Sequence, residues 1–137
     1  MKKNLLCALL AAELLFQWTS PVKAKEPEFI PMSTTAYYEG EITASGTKPR
    51  EGICAVNRDR LGMLAIVYAD NNGKKGGLLG YYECLDTGFG SDQDGDGIGS
   101  IEEGKCIDIY FPTPEECKEW MKLTGGKCHV QFVYAEG

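Results

Sequence analysis

The chain has 137 residues, with 20 acidic against 14 basic side chains and a formal charge of −6. That length suits one domain, and the acidic balance argues against nucleic acid or an anionic membrane surface as partner. A neutral or cationic partner, or calcium, is compatible with it.

The first element is a targeting signal. Lys2 and Lys3 lead into the apolar run Leu5 to Phe16 (LLCALLAAELLF), and Val22-Lys23-Ala24 ends it with small residues at the cleavage positions. This pattern predicts a secretory signal peptide over residues 1–24. About a dozen apolar residues are too few to span a bilayer, so no stable membrane insertion is expected after cleavage. Cleavage would leave 113 residues and a charge of −8, because the leader carries three lysines and one glutamate. Residues 25–32 read as a polar lead-in and 33–137 as the folded domain. The expected product is a secreted or cell-wall-associated monomer.

Export permits disulfides, and five cysteines follow the leader: Cys54, Cys84, Cys106, Cys117 and Cys128. An odd number leaves at least one thiol without a partner in the chain. With no Cys-x-x-Cys pair, zinc-site and thioredoxin spacings are absent. Whether one intramolecular disulfide forms stays open.

The apolar runs are short, β-branched or aromatic, and separated by glycine clusters, which is strand punctuation. Ser33 to Tyr38 (STTAYY) is a first strand, followed by the turn-rich EGEITASGTKPREG. Ile53 to Asn57 (ICAVN) and Leu64 to Tyr68 (LAIVY) come next, then a polar glycine turn at DNNGKKGG. Leu79 to Leu85 (LGYYECL) and Cys106 to Phe111 (CIDIYF) flank an acidic loop, and Lys127 to Tyr134 (KCHVQFVY) closes the series. One helix interrupts them. Thr113 caps it, Pro114 takes its first position, Glu115 and Glu116 fill the first turn, and Gly125-Gly126 stops it. Cys117, Trp120 and Met121 share its apolar face, with Trp120 a core residue. Short strands with one late helix predict a mainly β fold, a small barrel with an α-helical insertion.

The order of motifs carries more. TAYYEG (Thr35 to Gly40) and TASG (Thr43 to Gly46) precede GICAVN (Gly52 to Asn57) and a Leu61-Gly62 step. ECLDTG (Glu83 to Gly88), IDIYF (Ile107 to Phe111), a helix and VQFVYAEG complete the series. This arrangement resembles the three-aspartate (3D) domain of bacterial cell-wall proteins, related to stationary-phase-survival proteins and to the barrel of membrane-bound lytic transglycosylase A. The resemblance spans about Thr34 to Gly137. It implies a six-stranded double-psi β-barrel with one short α-helix before the last strand. It also implies a peptidoglycan lytic transglycosylase that cleaves the MurNAc-GlcNAc β-1,4 bond and leaves a 1,6-anhydro product. Its partner would be the glycan strand.

By position, the resemblance makes Asp108 the general acid/base and places Asp86, of the DTG motif, beside it. Thr35, Tyr37, Thr43, Ser45, Gly46, Thr87 and Gly88 match groove-lining or motif positions. The first family aspartate is replaced by Asn57, which keeps a hydrogen bond but cannot titrate. Asp59, two residues on, is the nearest carboxylate that offers compensation. This departure favours a rival reading, a non-catalytic 3D module that binds glycan or a wall partner.

The chemistry asks for these residue types. Glycosidic cleavage needs a carboxylic acid to protonate the leaving oxygen, and hydrolases use a second carboxylate. A lytic transglycosylase manages with one, because the sugar's own 6-hydroxyl closes the ring by proximity. No cofactor is required. The acid must hold its proton near neutral pH, well above the ordinary carboxyl value of about 4. Flanking Ile107, Ile109 and Tyr110, with Asp86 on a neighbouring strand, would raise the pKa of Asp108 by desolvation and by charge. On spacing alone the favoured reading is structural, with Asp86 capping the turn before Thr87-Gly88 and Asp108 accepting backbone hydrogen bonds, and the resemblance reverses that preference. A hydrolase using both is a third reading. Tyr37, Tyr38 and Tyr81 are candidates to stack on sugar rings, with packing as the competing role. His129 reads as a strand surface residue, since no Gly-x-Ser-x-Gly sequence supports a serine triad.

From Asp92, DQDGDGIGSIEE fits a twelve-position calcium loop. Asp92, Asp94 and Asp96 take positions one, three and five, Gly97 the turn, Ile98 the carbonyl ligand, Ser100 position nine and Glu103 the bidentate end. Gly99 stands where a hydrophobic residue is usual, and the flanks read as strands. A structural Ca2+ and a plain solvated loop are the two readings.

Overall fold

A computed structural model describes residues 27–134, and the predicted signal peptide lies outside them. Six strands form one sheet: β1 Ile30–Tyr37, β2 Ile53–Ala55, β3 Met63–Asn71, β4 Lys74–Asp86, β5 Cys106–Tyr110 and β6 Lys127–Tyr134. One α-helix, α1 Pro114–Thr124, precedes the last strand among the described residues. The strand order is β1-β5-β2-β4-β3-β6, and β1 pairs back onto β6, so the sheet closes on itself. Closure leaves no long free edge for another chain to pair with. The β1–β5 and β2–β4 pairings are parallel, and the remaining four are antiparallel.

The core forms where alternate side chains of these strands point inward. Met32, Cys54, Val56, Ala65, Val67, Cys84, Ile107, Ile109, Cys128 and Val130 make one cluster with Trp120 of α1. Trp120 packs edge-on to Tyr82 and tilted on Phe111, and its indole N–H donates to Thr34 Oγ1 at 2.9 Å. The helix is therefore fixed to the barrel core through an aromatic residue whose single polar group is satisfied.

Helix boundaries follow local chemistry. Thr113 Oγ1 accepts from the Glu116 N–H while donating to the Glu116 carboxylate, and Gly125 stops the helix at φ 62°. Thr113→Ala is expected to cost about 1 kcal/mol in urea unfolding. An unchanged midpoint would show that packing, and not the cap, sets the start of α1.

Several expectations need correction. β1 starts at Ile30, inside the expected lead-in, because Met32 is buried and Ile30 to Ser33 pair with β6. The stretch read as a long glycine turn is a tight hairpin. Asn72 and Gly73 both take positive φ, 52° and 86°, so Lys74 to Gly77 extend β4. Such a two-residue turn matches the strand twist. His129 is buried, 4% exposed, with Nε2 2.7 Å from Asp70 Oδ1 on β3. Strand closure covers it, which no local pattern signals. Met121 is partly exposed at 37% and lies off the apolar face. All five cysteines after the leader are free buried thiols, although Cys54 and Cys84, register partners on β2 and β4, bring their Sγ atoms to 3.7 Å. They act as small core hydrophobes, and burial pushes the Cys128 thiol up to about 12.

Candidate active site

Asp86 and Asp108 meet through a strand between them. Asp108 on β5 and Asp86 on β4 both take Ala55 of β2 as register partner, and Thr35 of β1 stands opposite Asp108 on the other side. The expectation of adjacent strands is thus corrected, since β2 intervenes. A register shift makes the meeting possible. Cys54 pairs with Cys84 but Ala55 pairs with Asp86, so Leu85 is an extra residue in β4. Without that bulge, alternation would leave Asp86 on the same face as buried Cys84.

The two carboxylates have unlike surroundings. Asp86 is anchored: Oδ1 accepts from the N–H groups of Ala44 at 3.0 Å and Thr87 at 2.9 Å, and Oδ2 accepts from the Tyr37 hydroxyl at 3.0 Å. Burial and then the Asp86 charge push the Tyr37 phenol upward, so it stays a neutral donor. Asp108 has the opposite character. Its Oδ1 is buried without a hydrogen-bond partner. Its pKa is pushed up to about 6, first by burial, with the Thr35 hydroxyl pulling back and the Asp86 charge raising it further. A buried carboxyl with one oxygen left without a donor favours its protonated form.

Asp108 opens onto a cavity of about 420 Å3. Thr35 and Cys106 line its barrel side, while Phe89, Ser91, Gln93 and Ser100 of the acidic insert form the far wall. The insert therefore borders the site. Its base is pinched by Ser100 N–H to Ser91 O at 3.0 Å and Ile101 N–H to Phe89 O at 3.1 Å. This pinch explains Gly99, where a Cβ would fall 1.8 Å from Phe89 O. The glycine that departs from a calcium-loop pattern is required by the loop's closure.

Other predicted residues divide. Thr87 and Gly88 line a second, polar recess of about 270 Å3 with Asn57, Asp59 and Glu102, and Gly88 also borders the Asp108 cavity. The Asn57 Oδ1 is buried without a partner, and Asp59 is exposed in that recess instead of beside Asp108. Thr43, Ser45 and Gly46 do not line the Asp108 cavity. Thr43 is buried with its hydroxyl 3.0 Å from Thr47 Oγ1, Ser45 bonds Leu85 O, and the Gly46 N–H reaches Thr43 O. These residues fold the loop that delivers the Ala44 N–H to Asp86. Tyr37 serves Asp86 and meets Tyr110 edge-on at 5.4 Å, while Tyr38 and Tyr81 are exposed. Ala44, Cys106 and Ser100 were not predicted for the site. Ala44 contributes only its backbone, which no side-chain motif encodes.

In the insert, one oxygen from each of Asp92, Asp94 and Asp96 lies within 4.8 Å of the others. The Gly97 N–H holds the Asp92 carboxyl below the usual range, and the exposed Ile98 donates its N–H to Asp96 Oδ1. Glu103 is outside that cluster. Its carboxylate pairs with Lys105 at 2.9 Å, so the expected bidentate end is not gathered with the triad.

Searches against family models, curated proteins and solved structures found no match for this chain.

Proposed function

We propose that the chain is a secreted peptidoglycan lytic transglycosylase with a double-psi barrel fold. Two parallel pairings within an otherwise antiparallel closed sheet support that barrel type. The signal-peptide pattern supports export, and the motif series supports the family. One observation carries the chemistry: a single protonatable carboxyl, Asp108, lines a cavity with its pKa pushed up to about 6. Asp108 gives its proton to the leaving glycosidic oxygen. It then accepts the proton of the 6-hydroxyl as that oxygen closes on the anomeric carbon, forming the 1,6-anhydro ring. Asp86 positions the site. Its oxygens already accept three hydrogen bonds, which favours the one-carboxyl route over hydrolysis by a carboxylate pair.

Digestion of purified peptidoglycan followed by mass spectrometry tests this reading. Anhydro-muramyl ends are expected. Reducing ends would assign a hydrolase, and wall binding without cleavage would assign the non-catalytic module. Asn57, uncharged and with an unpartnered amide oxygen, is the observation on the side of that module.

The aspartate triad is read as a structural Ca2+ site with the modest affinity of extracellular loops. Calcium at tenfold excess over Kd stabilises by about 1.4 kcal/mol, so several degrees of Tm should separate calcium from EDTA. Identical melting curves would leave a solvated loop.

A further inference from the structure

A separate cleft lies outside the Asp108 cavity. It measures about 560 Å3 and opens where β5 ends at the barrel rim beneath α1. Its floor is aromatic, from Tyr82, Tyr110, Phe111 and Trp120. Among the described residues, every charged side chain lining it is a carboxylate: Glu51, Glu116 and Glu119. Glu116 is engaged by the Thr113 hydroxyl at 3.0 Å, so the exposed Glu51 and Glu119 are its freer acceptors. The neighbouring Arg50 guanidinium is paired with Glu83.

A cleft of this size falls within the range of small-ligand sites. Aromatic faces with carboxylates, and no lining cation, suit a ligand that combines an apolar body with a positive charge. Its position narrows the ligand. Tyr110 is two residues beyond Asp108 on the same face of β5, about 7 Å along the strand. Tyr110 meets Tyr37, whose hydroxyl binds Asp86. The cleft and the carboxylate site thus lie along the same strand, Tyr110 lining one and Asp108 the other, so that a chain lying along β5 would pass both.

We propose that this cleft is a subsite for a glycan bearing free amines, a glucosamine-type sugar whose ring lies on the aromatic floor and whose ammonium sits between Glu51 and Glu119. The inference rests on the glycan-cleaving reading above and adds a specificity to it: sugars lacking the N-acetyl group are preferred beside the cleavage point. An N-acetylated sugar offers the same ring without the charge.

Isothermal titration with glucosamine hexaose, N-acetylglucosamine hexaose and a lysine-bearing pentapeptide tests it. The free-amine oligosaccharide should bind at least about tenfold more tightly than its acetylated counterpart, and more weakly as salt rises. E51Q/E119Q should lose about tenfold for that ligand only. Both glutamates are exposed, so the fold should survive the change, which a melting curve verifies. Equal binding of the two oligosaccharides, tightest binding of the peptide, no binding at all, or unchanged affinity in the double variant would each overturn the proposal. Peptidoglycan cleavage by the wild-type chain, measured in parallel, separates the two readings. Cleavage without amine discrimination removes only the subsite, and discrimination without cleavage removes only the enzyme.

Discussion

Asp108→Asn is expected to abolish cleavage and yet make the protein more stable at pH 7.5. The activity loss should be on the order of 10³-fold, because the amide can neither donate nor accept the proton that the reaction moves. The stability gain follows from the same burial. The folded pKa of Asp108 is about 6, against about 4 in an unfolded chain. Below pH 4 the group is protonated in both states and costs nothing. Between pH 4 and 6 the folded state keeps a proton that the unfolded chain has released, so stability falls as pH rises. Above pH 6 the loss is complete, at about 2–3 kcal/mol. Asparagine never carries the charge and escapes that loss. Melting curves should therefore show the variant several degrees above the wild type at pH 7.5 and close to it at pH 4. A variant less stable at pH 7.5 would mean that the Asp108 carboxylate is satisfied, and the acid assignment would fall with it. In the wild type, cleavage should decline as pH rises through about 6, where the acid form is lost.

Asp86→Ala should do the reverse, lowering stability by about 2–4 kcal/mol. It removes the acceptor for the Ala44 and Thr87 N–H groups and leaves the half-buried Tyr37 hydroxyl without its partner. Asp86→Asn keeps an oxygen for the two N–H groups and should cost less than half as much. Both variants remove a negative charge that raises the Asp108 pKa. The pH at which cleavage declines should accordingly shift downward in both, whatever their stability. An unchanged pH profile in Asp86→Asn would show that burial alone sets the Asp108 proton.

These two aspartates mark where local reasoning ends. The helix was legible residue by residue, because a cap, a first-turn proline and a positive-φ glycine act within four or five residues. β6 was legible from its run of apolar and aromatic residues, and it spans Lys127–Tyr134 as expected. The aspartate triad was also legible, since alternate residues on one tight loop converge whatever surrounds them. Glu103 stands apart from the triad, with its carboxylate on Lys105 at 2.9 Å, while Asp94 lies 4.0 Å from the same ammonium.

What only the tertiary structure decided involves residues brought together from distant parts of the chain. The Leu85 bulge turns Asp86 toward Ala55, and the interposed β2 determines how the two aspartates face each other. The TASG segment looked like groove lining but uses its polar groups to fold a loop onto β4, so its contribution to the site is one backbone N–H. His129 is buried because β3 brings Asp70 to it across the closed sheet. The aromatic cleft draws on the turn before β2, on β4, β5 and α1, and exists only after the barrel rim has formed. Sequence alone determined which side chains can titrate, cap or turn, since those are properties of a residue and its neighbours. Desolvation is a property of everything packed around a residue, and so the proton on Asp108 was decided by the fold.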